Sequence, residues 1–323
     1  ISCLLALALR QPLAGEPALV LRYAHPNAPE SVAGREAELF ARKVAEYSRG
    51  AVVVEVYPSS RLGTLEEQAR MAAAGTIAFT HQTAATIGSL YGDFAVLDTP
   101  YAYRDLGHLL RVVDASSPVM ARLSEGLLRS AGLRVLSTFY FGTRQLTCGR
   151  PARRPEDLAG VRVRAIPFPL YETAVEGLGA TAVPIDWAQT SVALAAGAID
   201  GQENPVNIVL SSRLYEHQPY LMLTGHIQAA EILVVNEKVW QGLPRASRES
   251  IARAARESCE FATRATEESE ERDLAALREK GMKVIGPKEG LDVAAFASRV
   301  SALVAARFGS RWKTYFDMIA ALR

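Results

Sequence analysis

Two arginines and an asparagine are the residues of this chain whose types point most directly to chemistry. Arg144 stands in FYFGTRQLTCGRP (Phe139 to Pro151), Arg164 in LAGVRVRAIPFPLY (Leu158 to Tyr171) and Asn204 in LAAGAIDGQENPVN (Leu194 to Asn207). A guanidinium is always charged and presents a planar fork that meets a carboxylate at two points. A side-chain amide both donates and accepts. Two forks and an amide make a clamp for a small organic acid.

Other chemistries lack their parts. The chain has no glycine-rich phosphate loop, no HExxH and no CxxC. GSLYG at Gly88 to Gly92 misses the spacing of a nucleophile elbow. The histidines His25, His81, His108, His217 and His226 are scattered without metal-ligand spacing. Asp186, Asp200 and Glu203 have the right type for acid–base work. With no nucleophile or cofactor motif beside them, they read as supports for neighbouring groups. No catalytic residue, cofactor or metal is therefore expected.

The elements that must position the trio follow from periodicity. Leu19 to Ala24 reads as a strand, Ser31 to Ser48 as a helix ended by Gly50, and Ala51 to Tyr57 as a β-branched strand. Leu65 to Ala74 is helical up to Gly75, and Thr76 to Thr80 is extended. This β-α-β-α-β order favours a parallel sheet covered by helices. It recurs with strands at Leu133 to Tyr140, Val161 to Ala165 and Thr181 to Pro184, and helices at Tyr171 to Leu178 and Trp187 to Ala196. Ile199 and Asp200 begin a short strand leading to a loop with Asn204, and Ile232 to Asn236 is a later strand. Two α/β units thus flank roughly residue 140. Pro244 to Lys280 contains no glycine and no proline after its first residue. As one helix it would run about 55 Å, longer than one small lobe. Either it bridges two lobes, or it breaks near Thr263 to Thr266. Glu267 to Asp273 reads as a solvated face.

Bulk properties bound the rest. The chain has 323 residues, 49% of them hydrophobic and 22% charged, enough for two ordinary domains. A net charge of +1 gives no electrostatic case for nucleic acid or an acidic membrane surface. The apolar run Cys3 to Leu9 is too short to span a bilayer. With the small residues at Ala14 and Gly15 it reads as the remains of a secretory signal peptide; Cys3 as a lipid attachment site is the alternative. Cys148 and Cys259 form no disulfide framework or metal spacing. They either pair in an oxidising compartment or stay buried thiols.

The three phrases, in this order, resemble the solute-receptor subunits of TRAP transporters, the DctP-like family. The resemblance begins near Tyr23. It runs through VYPSSRLGTLEEQ (Val56 to Gln68), LDTPYAYRD (Leu97 to Asp105), the central phrases, RLYEHQPYLMLTGH (Arg213 to His226) and LVVNEKVWQGLP (Leu233 to Pro244). It implies an α/β, two-lobed periplasmic-binding-protein fold with a long helix spanning both lobes. Residues 16–141 plus about 230–265 would form one lobe, and 142–229 plus about 266–323 the other, after a leader at 1–15. It also implies a periplasmic receptor, expected as a monomer, that takes a small organic anion and delivers it to TRAP permease membrane subunits. Arg164, rather than Arg162, matches the family's principal carboxylate-binding arginine. Arg144 matches a second arginine, Asn204 the asparagine of QENP, and Trp187 the aromatic that packs on the ligand. His25 and Phe168 are further candidate contacts. The chain departs from the family at Gln189, Ser191 and Glu231. The last stands where an aromatic is common, and reads a ligand hydroxyl or amine or else points away. A sensor for a membrane kinase and an enzyme acting on a hydroxy acid are the alternatives.

Overall fold

The structure is a computed structural model that describes residues 18–322. The leader expected at 1–15, with Cys3, lies outside them.

The first α/β unit forms as the sequence pattern dictates. Strand β1 (Leu19–Ala24) leads through α1 (Val32–Tyr47) to β2 (Val52–Tyr57), then α2 (Leu65–Ala74) and β3 (Phe79–Thr83). Ser31 caps α1 by accepting from the Gly34 amide at 3.0 Å. Thr64 and Glu67 form a capping box at the start of α2, and Gly75 ends it in the left-handed region. A connecting layer follows: α3 (Ala84–Gly88), α4 (Leu106–Val113) and α5 (Pro118–Ala131). The second unit holds β4 (Leu133–Cys148), β5 (Arg162–Ala165), α6 (Pro169–Gly177), β6 (Thr181–Pro184), α7 (Thr190–Ala195), β7 (Gly201–Pro205) and α8 (Val206–Ser211). The chain finishes with β8 (Tyr220–Asn236), α9 (Glu237–Gly242), α10 (Arg245–Glu279), β9 (Lys283–Ile285) and α11 (Val293–Ala321).

The expected parallel sheet holds only within each unit. β1 lies parallel to β2 and β3, and β5 parallel to β6 and β7. The two units are joined by the antiparallel pair β4 and β8, giving the order β2-β1-β3-β8-β4-β7-β5-β6, with β9 beside β8. Both joining strands are far longer than their β-branched cores suggest. β4 runs past Tyr140 through a register shift at Gly142, whose φ of 123° suits only glycine. β8 begins at Tyr220, twelve residues before the apolar run Ile232 to Val235. Trp187 to Ala196 is likewise not one helix but a 3₁₀ turn at Trp187–Gln189 followed by α7. Asn204 lies inside β7 rather than in a loop after it.

Helix α10 is continuous over 35 residues. The break considered near Thr263 does not occur. There the Thr263 hydroxyl accepts from the Tyr140 amide at 3.0 Å. Further along, one Glu270 oxygen accepts from both the Tyr140 hydroxyl (2.7 Å) and the Thr143 amide (3.1 Å). The helix therefore fastens to β4 on both sides of the Gly142 shift. One face of the sheet is packed by α1 and α10 around Tyr23, Phe40, Phe79, Phe139, Ile251 and Ala255. The other carries Ile77, Phe94, Leu109, Leu123, Phe296 and Trp312 beneath α4, α5 and α11. Cys148 and Cys259 are both buried and unpaired.

Candidate functional site

The cavity forms where strands from both units converge. β5 supplies Arg164 and β4 supplies Phe141 and Arg144. Asn204 comes from β7, Glu231 from β8, and Gln82 and Thr83 from the end of β3; Trp187 follows β6. Asn27, Leu65, Ile166 and Ile208 complete the wall. Arg144, Arg164, Trp187, Asn204 and Glu231 are thus brought together as expected neighbours. His25 and Phe168 are not among the lining residues. His25 is buried against His81, with ring centroids 4.8 Å apart, and Phe168 precedes α6 beside Trp312. The water-accessible interior is about 30 Å³, room for a water or two. An organic acid fits only if the walls part.

The two arginines are equally buried, each 1% exposed, but differently engaged. Arg144 grips Glu203 with Nε at 2.5 Å from Oε2 and Nη2 at 2.7 Å from Oε1, and Nη2 also donates to the Glu203 carbonyl. His226 Nε2 lies 3.1 Å from the same Oε2. Burial alone would raise the Glu203 carboxyl, but Arg144 and His226 outweigh it and hold the group at about 2. Burial works against the charge on Arg144 too, and Glu203 more than offsets this, leaving the guanidinium above its ordinary value. This fork is already filled by a protein carboxylate.

Arg164 has no such partner. Its Nε donates to the Ile185 carbonyl at 2.8 Å, while Nη2 is buried with nothing to bond. Burial draws the guanidinium down to about 10, with Glu203 opposing and Arg144 adding to the shift. It remains a cation at neutral pH. Its guanidinium carbon sits 5.8 Å from the Trp187 ring centroid, a cation–π contact. The neighbouring Arg162 points elsewhere, exposed and paired with Asp200.

The remaining groups are polar without being cationic. Asn204 Nδ2 donates to Gln202 Oε1 at 2.6 Å. Glu231 is 2% exposed, and its Oε2 has no partner. Burial, with Asp98 adding, pushes its carboxyl well above the ordinary range and favours the neutral form. Gln82 donates from Nε2 to Thr80, while its Oε1 is buried and unpartnered. Asn27 Oδ1 meets His81 Nε2 at 2.8 Å. The sequence reading passed over Asn27, Gln82 and Thr83. The available signal was β3 itself: FTHQT is fully buried although four of its five residues are polar. Polar groups on a central strand require partners or a ligand.

Residues 23–308 match the family described as "Bacterial extracellular solute-binding protein, family 7", and the chain belongs to that family. It is 30% identical over 278 residues to the C4-dicarboxylate-binding periplasmic protein DctP of Rhodobacter capsulatus, covering 86% of this chain and 82% of that one. Its fold superposes on a TRAP periplasmic solute-binding protein from Roseobacter denitrificans with bound L-galactonate. The TM-score there is 0.89 at 26% identity, with 95% of this chain and all of that one covered. It also superposes on the sugar-acid-binding protein DctPAm of Advenella mimigardefordensis in complex with galactonate, with TM-score 0.86 at 25% identity, covering 95% and 99%. The chain is therefore a TRAP-type solute receptor with the two-lobed fold and long helix that its sequence implied, and not an enzyme. Proteins of this family are periplasmic. Among the described residues no helix is long and apolar enough to cross a membrane.

Proposed function

We propose that this receptor holds a small organic anion by its carboxylate on Arg164 and delivers it to the membrane subunits of a TRAP permease. The observation that carries this reading is the buried Arg164 guanidinium with an unpartnered Nη2 on the cavity wall. An isolated cation taken out of water is costly, so natural proteins pair it. Here Glu203 and Asp186 are engaged elsewhere, burial works against the charge on Glu231, and a ligand carboxylate completes the site with parallel hydrogen bonds. Arg144, locked by Glu203, adds positive potential and shape rather than a second free fork. Asn204 orients the ligand, Trp187 forms an apolar wall, and His25 and Phe168 have no direct part.

Each charge-assisted bond contributes about 1.5–3 kcal/mol. Two or three of them, less the cost of ordering, suit micromolar or tighter capture. Acids named for relatives, C4-dicarboxylate and galactonate, support the ligand class. In this reading the lobes are 16–141 plus about 230–265, and 142–229 plus about 266–323. They part to admit the acid and close by hinge motion. The chain acts as a monomer after loss of a leader at 1–15. A thermal-shift screen of organic acids, followed by calorimetry on Arg164→Ala, tests the proposal. The expected result is stabilisation by at least one carboxylate and loss of its binding in the variant. If no acid stabilises the protein, or the variant binds as before, the reading is wrong.

A further inference from the structure

The cavity has one unsatisfied cation, and its other unsatisfied groups are the Glu231 carboxyl and the Gln82 amide oxygen. Arg144 and Glu203 neutralise each other, leaving Arg164 Nη2 as the buried donor without a partner on the wall. On the β3 and β8 side, Glu231 Oε2 and Gln82 Oε1 are buried and lack hydrogen-bond partners. Both residues line the cavity, which they reach from opposite faces of the sheet, since the β3–β8 register pairs Glu231 with Thr83 and Ile232 with Gln82. A second carboxylate placed there would meet the Gln82 acceptor and a carboxyl with at most one O–H to give, and no free cation to balance its charge. A hydroxyl both donates and accepts, and matches the pair.

Resting on the Arg164 reading, we infer that the ligand is a monocarboxylate bearing at least one hydroxyl, and that Glu231 with Gln82 reads the hydroxyl and rejects a second carboxylate. Glu231 is then a specificity-determining residue that touches the ligand away from its anionic end. Its carboxyl, pushed by burial toward the neutral form, offers one O–H and one carbonyl to the hydroxyl, while Gln82 accepts a further O–H. A ligand ammonium suits this pole less well. It would require Glu231 to ionise near Asp98 and Glu36, both of which act against that charge.

The test is calorimetry at pH 7.5 within two matched sets, of four-carbon and six-carbon acids. Each set compares the plain monocarboxylate, its hydroxylated forms, its ω-amino form and the dicarboxylate. Wild type, Glu231→Gln and Glu231→Leu are measured, with circular dichroism to check folding. In at least one set the hydroxylated acid should bind at least about tenfold tighter than the plain acid and the dicarboxylate. Glu231→Leu should shrink that ratio to about twofold, and Glu231→Gln should keep most of it. A dicarboxylate, plain acid or amino acid that binds wild type as tightly as the hydroxy acid overturns the inference. So does a preference that survives Glu231→Leu. Carboxylates that bind without hydroxyl preference sink only this inference; if none binds, the Arg164 reading falls with it.

Discussion

Asp186 Oδ2 accepts a 3.1 Å hydrogen bond from the Leu65 amide, linking the turn after β6 to the first residue of α2 across 121 residues of sequence. Its other oxygen accepts from the Ala188 amide at 3.0 Å. Leu65 and Trp187 both line the cavity, so this contact lies at its edge and joins the two α/β units there. The carboxylate also sits at the positive end of a ten-residue helix.

In the proposed opening, which parts the lobe of Leu65 from that of Asp186, this contact breaks, and its loss should favour the open form. Asp186→Ala is expected to raise the dissociation constant of a bound acid by about 3- to 30-fold, equivalent to roughly 0.7–2 kcal/mol. Most of the change should appear in the dissociation rate. Stopped-flow tryptophan fluorescence, with Trp187 on the cavity wall as the reporter nearest the ligand, would resolve the two rates. An unchanged dissociation rate would show that the contact does not hold the closed form.

The two arginines should respond oppositely when truncated. Arg144→Met leaves Glu203 buried without its main partner and should cost about 3–5 kcal/mol of stability. Arg164→Met removes a buried cation that has no carboxylate partner, so stability should hold or rise while acid binding is lost. Urea denaturation of the free variants checks this. A large destabilisation by Arg164→Met would instead mark that arginine as structural.

How much of this was legible in the sequence depends on the kind of signal. Arg164, Arg144 and Asn204 were found because each sits in a distinctive phrase, and helix α10 because 35 residues lack a breaker. The lengths of β4 and β8 were not legible. Gly142 and Gly225 look like turn residues, yet lie within the strands at positive φ. The engagement of Arg144 was also hidden. Glu203 lies 59 residues away, and only the β4–β7 pairing brings its carboxylate to the guanidinium. The strand expected at Thr76 to Thr80 stopped short of Gln82 and Thr83, because polarity normally signals a surface. Their burial is decided by β8 pairing beside them.

Stability should fall as the solution is brought from mildly acidic to neutral pH. Burial raises the Asp98 carboxyl from 3.8 to about 6, although the Ala85 amide at 2.8 Å and Arg144 both favour its charge. A raised carboxyl stabilises the fold fully below its unfolded value and loses that contribution as pH rises through the folded one. Asp98 therefore removes up to about 3 kcal/mol between pH 3.8 and 6. Glu203 acts in the other direction. Depressed from 4.5 to about 2, it stabilises above 4.5 and loses its contribution as pH falls toward 2. Maximum stability is thus expected near pH 4–5. Asp98→Asn, which keeps an acceptor for Ala85, should flatten the decline above pH 4, measured by denaturant midpoints across pH. An unchanged slope would assign the decline to other groups, Glu231 first among them.

Gly142 sits at the register shift of β4, just before its pairing with β7 begins at Arg144, and a side chain there should damage more than local backbone. Its φ of 123° lies outside the range of L-residues, and an added Cβ would stand 2.6 Å from the Cβ of Pro205, next to Asn204. Relief requires β7 to shift or the β4 bulge to flatten. The bulge is held by Glu270 through Tyr140 and Thr143, so flattening would break those bonds. Gly142→Ala should therefore cost at least about 1–3 kcal/mol of stability. It should also weaken acid binding, because the disturbed β4–β7 pairing sets Arg144 opposite Pro205 and Gln145 opposite Asn204. Denaturation and calorimetry on the same variant separate the two effects. If stability falls while affinity holds, the bulge supports the fold alone; if both hold, the positive φ is not required at this position.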